Sequence, residues 1–156
     1  VVTSAAERFS TQPEDLTTRI DQEQKEVQEL RRTCRIRAER IARFLLDRSD
    51  ADNAGPEGIE SIILTDEEGD VFKALAEMAT ERPDRRLLAV NITEDAVHWA
   101  IVIGESTPFP AQWLRDELLK PFGAKGGGKP PLWRGVLPAP SSVTDQFVGR
   151  FRTLPV

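Results

Sequence analysis

One cysteine and one histidine occur in 156 residues, and these two scarcities exclude much chemistry. A single cysteine, Cys34, rules out an internal disulfide framework and fits a reducing compartment, so a cytoplasmic location is expected. A zinc site needs three or four Cys, His or carboxylate ligands converging on one point. With only Cys34 and His98 available, a metal site would have to be mostly carboxylate, and no metal or cofactor is expected. His98 sits in the strand-like run Ala96-Val97-His98-Trp99-Ala100-Ile101-Val102, where it reads as a half-buried or edge histidine rather than a catalytic one. There is no Gly-x-Ser-x-Gly elbow, Walker loop or paired-carboxylate signature, so no catalytic residue is expected and the chain is not read as an enzyme. No apolar run approaches membrane-spanning length, and no apolar h-region lies near the N-terminus. The first residue is Val1 rather than Met, which reads as a soluble piece of a longer polypeptide.

The hydrophobic fraction is 39% and the charged fraction 30%, so one ordinary domain carries an appendage that is largely surface. The appendage is at the N-terminus. Thr11 as cap, Pro13 in the first turn and the acids Glu14 and Asp15 predict a helix start, running to about Asp47. Leu16, Ile20, Val27, Leu30, Cys34, Ile41 and Phe44 then fall on a 4-3-4-3 ladder with Glu23 and Arg37 at its two polar rungs. That is a coiled-coil-like seam over about four heptads. So narrow a stripe cannot bury itself and needs either a second chain or the globular part folded back. Arg31, Arg32, Arg35, Arg37, Arg40, Arg43 and Arg48 scatter around the helix at about 100° per residue, which favours a solvated sleeve over an RNA-binding stripe.

The polar, turn-rich stretch Ser49 to Gly58 predicts a boundary, giving a helical segment over 1–50 and a globular domain over 51–156. Ile59 to Leu64 reads as a strand and Asp70 to Glu81 as a helix closed by Arg82-Pro83-Asp84. Leu87 to Ile92 and Ala96 to Ile103 predict a hairpin through Thr93-Glu94-Asp95. Pro110 opens an amphipathic helix with Trp113, Leu114, Leu118 and Leu119 on one face, ending near Phe122. Leu132 to Leu137 reads as a last strand, and Ser141 caps a final helix through Phe147 and Phe151. The class expected is α/β (α+β): a long N-terminal helix, then a small mixed sheet flanked by helices.

Between the amphipathic helix and the last strand lies Gly123-Ala124-Lys125-Gly126-Gly127-Gly128-Lys129-Pro130-Pro131-Leu132-Trp133-Arg134-Gly135. Consecutive glycines inside a folded domain cost conformational entropy unless the backbone needs positive φ or a close approach to a ligand. Residues 121–156 carry five cations against the single acid Asp145, a net +4 within a total of −5. An anion-binding loop is the expectation, with Lys125, Lys129 and Arg134 attracting phosphate and Gly126, Gly127, Gly128 and Pro130 shaping the backbone. A flexible linker or an ordinary solvated basic surface are the bland alternatives. Trp133 is read either as a plug in the sheet edge or as a platform on which a base stacks.

These residues carry a resemblance. The strand pair over 87–103, the helix over 110–122 and the loop over 123–135 resemble the C-terminal domain of alanyl-tRNA synthetases, shared with long-form alanyl-tRNA editing proteins and DHH-type phosphoesterases. The family loop reads G-G-K-G-G-G-R-P-x-x-A-x-x-G, and Gly123, Lys125, Gly126, Gly127, Gly128, Lys129 and Pro130 match it in order, with Lys in place of Arg. Ser4 to Leu16 with its following charged helix is similar to the segment that joins the editing domain to that C-terminal domain. The resemblance implies a DHHA1-like fold, contact with tRNA, alanine tRNA in particular, and a homodimer through the helix. It also implies a parent aminoacyl-tRNA deacylase or synthetase whose zinc-bearing editing domain is missing from this stretch. Pro131, Leu132 and Trp133 depart from the family's small residues after the glycines. Two other readings stand beside it: the substrate-binding half of a DHH-type phosphoesterase, against which Lys129 replaces the usual His, and a purely structural module.

Overall fold

The computed structural model describes residues 15–52, 58–106, 109, 111–138 and 142–153; the expected caps Thr11 and Ser141 and the helix-opening Pro13 and Pro110 lie outside them. The chain divides into two compact units, Val1–Arg37 and Ala38–Val156. Helix α1 spans Leu16–Asp52, a single run of 37 residues. In the first unit it is solvated on nearly all sides and carries short-range support, the Arg19–Glu23 ion pair at 2.7 Å and the Thr33 hydroxyl donating to the Glu29 carbonyl at 2.9 Å. Such pairs add only tenths of a kcal/mol each, about 0.2–0.5.

In the second unit the last turns of α1 join a sheet. The elements that follow are β1 (Ile59–Thr65), α2 (Gly69–Ala79), β2 (Arg86–Ile92), β3 (Val97–Ile103) and α3 (Ala111–Trp113), which continues as a π-helical turn over Leu114–Leu119. Then come β4 (Lys125–Lys129), β5 (Leu132–Leu137) and α4 (Ser142–Phe151). The five strands form one sheet in the order β1-β2-β3-β5-β4. Strands β1 and β2 are parallel, which requires a crossover, and α2 supplies it; the other pairs are antiparallel. The expected mixed sheet flanked by helices is the fold observed.

Strands β2 and β3 are apolar on both sides because both sheet faces are covered. On one face Leu87, Ala89, Ala100 and Val102 meet Ala42 and Leu46 of α1 and Leu75, Ala76 and Ala79 of α2. Alanines there allow the helices to approach closely. On the other face Leu88, Val90, Trp99 and Ile101 meet Leu114 and Leu118 of the π-helical turn and Phe147, Val148 and Phe151 of α4.

Two expectations are corrected here. Ser49 to Asp52 are the end of α1 rather than a linker: the Ser49 hydroxyl donates to Glu60 Oε2 at 3.0 Å, and Arg85 Nε donates to Glu60 Oε1 at 3.2 Å. This buried triad anchors the helix end to β1 and to the residue before β2, a tertiary contact that overrides the turn-forming composition. The glycine stretch is a strand rather than a loop, because β5 lies alongside it and pairs with it residue by residue.

The amphipathic helix also departs from plain α geometry. Pro121 has no N–H to give to the Glu117 carbonyl four residues earlier, and the Lys120 N–H reaches Arg115 O, five residues back, at 2.9 Å. Arg150 Nε takes the free Glu117 carbonyl at 3.3 Å, its Nη2 bonds the Glu117 carboxylate, and its guanidinium lies 5.7 Å from the Trp113 ring centre. One proline therefore sets both the irregular turn and the contact that fastens α4 to it.

Candidate nucleic-acid interface

Strand β4 is the edge of the sheet, and its pairing dictates which side chains share a face. Lys125, Gly126, Gly127, Gly128 and Lys129 stand opposite Val136, Gly135, Arg134, Trp133 and Leu132 respectively. Directly paired residues project to the same side and neighbours alternate. Leu132 packs with the α1 and α2 cluster and Trp133 with the α4 cluster, which fixes the two sides. Lys125, Gly127, Lys129 and Arg134 thus share the α2 side, while Gly126, Gly128 and Gly135 share the other.

The glycines divide accordingly. A Cβ on Gly126 would lie 2.3 Å from the Arg134 carbonyl oxygen, and one on Gly128 2.3 Å from that of Leu132. Both hold φ values, 147° and 158°, that side-chain-bearing residues rarely adopt. A Cβ on Gly135 would meet Lys125 O at 2.0 Å and the Trp99 ring at 2.7 Å. These three are required by the close approach of the two strands and by the indole beneath them. Gly127 is different: a Cβ there would meet nothing within 4 Å.

Gly127 is therefore a bare patch of backbone framed by cations. Lys125 and Lys129 stand two residues to either side, about 6.6 Å each way along a strand, and Arg134 is its cross-strand partner. All three are exposed, and none has an ion-pair partner among the described residues. Cations left unpaired around an open edge attract an anion of extended form without having to break an existing pair.

On the opposite side of β4 a groove of about 630 Å³ runs between the glycine strand and the π-helical turn. Leu114, Leu119 and Trp133 line it, Arg115 and Lys120 flank it, and Lys129 and Pro130 close its hairpin end. Lys120 Nζ bonds Asp116 at 2.9 Å, and that hydrogen bond holds the Asp116 carboxyl below the usual carboxylate range. Arg115 makes no ion pair among the described residues. The sequence reading missed Arg115 and Lys120, whose five-residue spacing brings them to one side only where a helix widens to π geometry.

Trp133 is 6% exposed and stands edge-on to Phe109, with ring centres 6.2 Å apart. A ring so little exposed packs as the plug of the sheet edge, where it belongs to the core cluster, rather than presenting an open face for stacking. His98 is half-buried, 6.5 Å from the Phe72 ring. Among the described residues no three His, Cys, Asp or Glu side chains converge as a metal site would require.

Five of the seven seam residues are exposed. In the first unit Val27 and Leu30 are 43% and 65% exposed and Cys34 is exposed, while Leu16 and Ile20 are half-buried. In the second, Ile41 and Phe44 are 42% and 63% exposed while Ala38, Ala42 and Leu46 are buried. The part of α1 that packs on the sheet thus uses a different face from the seam. The seven helix arginines are all exposed, as a solvated sleeve requires.

No protein-family profile matches the sequence, and no curated protein sequence matches it. Among solved structures it is similar to the C-Ala domain of alanyl-tRNA synthetase from Aquifex aeolicus, at 18% identity and TM-score 0.48, covering 62% of this chain and 91% of that one. It is also similar to RecJ from Thermus thermophilus, solved with Mn2+, at 23% identity and TM-score 0.51, covering 94% of this chain and 22% of RecJ. The RecJ structure solved with Mg2+ gives 20% identity and TM-score 0.49 over 96% of this chain and 27% of that one. The chain thus spans roughly a fifth to a quarter of the RecJ chains it matches. Identities this low speak of fold alone, and the fold of this chain is DHHA1-like, the fold of the RecJ stretch that aligns with it.

Proposed function

We propose that the chain is a non-catalytic module that binds tRNA along the β4–β5 edge and associates through α1. The observation that carries this reading is the frame of Lys125, Lys129 and Arg134 around the open Gly127. A phosphodiester backbone lying along the edge would place successive phosphates near these cations, and the bare glycine would let it approach the main chain. The groove behind the strand, with Arg115 and Lys120 at its rim, offers room for a nucleotide turned away from that track. Alanine tRNA is the partner that the glycine motif suggests, and the parent protein would be an aminoacyl-tRNA deacylase or synthetase. A cytoplasmic location is the reading that the single cysteine supports. No described helix is long and apolar enough to cross a membrane. In this proposal the helical segment over 1–50 would serve association and the globular domain over 51–156 would hold the RNA.

An electrophoretic shift series with tRNA, short RNA oligomers and short DNA oligomers tests the reading. Preference for tRNA over the oligomers is expected. Preference for short oligomers would instead favour the phosphoesterase substrate-binding half, and no binding to any of them would leave a structural module.

A further inference from the structure

The polar rungs of the α1 seam say how two chains would meet. Glu23 and Arg37 stand seven residues to either side of Leu30 and are opposite in sign. Their surroundings repeat the asymmetry: residues 15–29 hold five acids and two cations, whereas residues 31–37 hold four arginines and no acid. Two parallel copies in register would set Glu23 against the partner's Glu23 and Arg37 against the partner's Arg37. Two antiparallel copies centred near Leu30 would set each Glu23 beside the partner's Arg37. Like charges facing each other across a helix pair select against that arrangement, and complementary ones select for the alternative.

The helix surface is shaped for such a partner. Ile20, Glu23, Gln24 and Val27 border a concavity, and they are the i, i+3, i+4, i+7 set that receives a side chain from a facing helix. We infer that residues 16–37 of α1 dock antiparallel on the same stretch of a second copy of this chain, with two reciprocal Glu23–Arg37 contacts and Leu30 at the centre. This deepens the association proposed above and rests on it.

The arrangement has a direct geometric consequence for Cys34. It would face the partner near residue 26, so the two Cys34 residues would be separated by about eight residues, or about 12 Å along the axis. A disulfide needs Cα atoms about 4.4–6.8 Å apart. Parallel copies would instead bring the two thiols side by side.

Sedimentation velocity up to roughly 0.1 mM, combined with mild oxidation of the native protein, separates these cases. The expected result is a dimer that forms no Cys34 crosslink. Glu23→Arg alone and Arg37→Glu alone should each weaken it about tenfold or more, and the double variant should restore it. A dimer that crosslinks rapidly through Cys34, or one in which the double reversal gives no rescue, would overturn the orientation while leaving association intact. A monomer throughout would overturn both.

Discussion

Alanine at Gly126 and alanine at Gly127 should have opposite consequences, although the two residues are adjacent in a run of three glycines. At Gly126 the added methyl would enter to 2.3 Å from Arg134 O and 2.6 Å from the Gly135 Cα, at a φ of 147°. Sparsely populated backbone costs about 1–3 kcal/mol, and forced overpacking about 1–3 kcal/mol more. A loss of roughly 2–6 kcal/mol corresponds to a fall in Tm on the order of 10 °C or more for a domain of this size. At Gly127 the methyl meets nothing, and replacing a strand-interior glycine stabilises by roughly 0.5–1 kcal/mol. Its Tm should hold or rise by a few degrees, while RNA affinity should fall severalfold because the methyl stands where the phosphate backbone would lie. Thermal melts by circular dichroism and fluorescence anisotropy with tRNA measure the two properties separately. Equal destabilisation at both positions would refute the paired-strand account of β4. A stable Gly127→Ala variant with unchanged RNA affinity would remove Gly127 from the interface.

Removing Glu60 should be among the most damaging single changes, since it breaks a buried ion pair with Arg85, itself 4% exposed, and the hydrogen bond from Ser49; Glu60→Ala should cost about 3–5 kcal/mol in urea unfolding. Replacing both partners with apolar residues of similar size should recover most of that loss. Asp116→Asn removes the acid bonded to Lys120 at the groove rim, so it should raise tRNA affinity severalfold with little change in Tm; unchanged affinity would place the groove outside the bound path.

Elements whose signal lies in side-chain periodicity were legible in the sequence. The hairpin over 87–103 and the helix at 69–79 follow from apolar spacing and short polar connections, and they occur within a residue or two of their expected bounds. Strand β4 was not legible, because Lys-Gly-Gly-Gly-Lys has no alternation to read and its state is decided by β5 beside it. The end of α1 was hidden for a similar reason: Ser49 to Asp52 look like a turn until Glu60 and Arg85 hold Ser49 in place. At the site, the motif cations were visible, but their common face was not. Only the register that pairs Gly127 with Arg134 turns three scattered charges into a frame.

The central claim is that this frame governs RNA binding, and the salt dependence of affinity tests it most directly. Each phosphate contact contributes close to 0.9 to the slope of log K against log salt. The variant with Lys125→Ala, Lys129→Ala and Arg134→Ala should bind tRNA more weakly and with a slope shallower by roughly two to three units. Alanine at Arg40 and Arg43, both exposed on α1, should change the slope little. An unchanged slope in the triple variant, or an equal loss from the helix arginines, would contradict the account and move the RNA from the sheet edge to the helix.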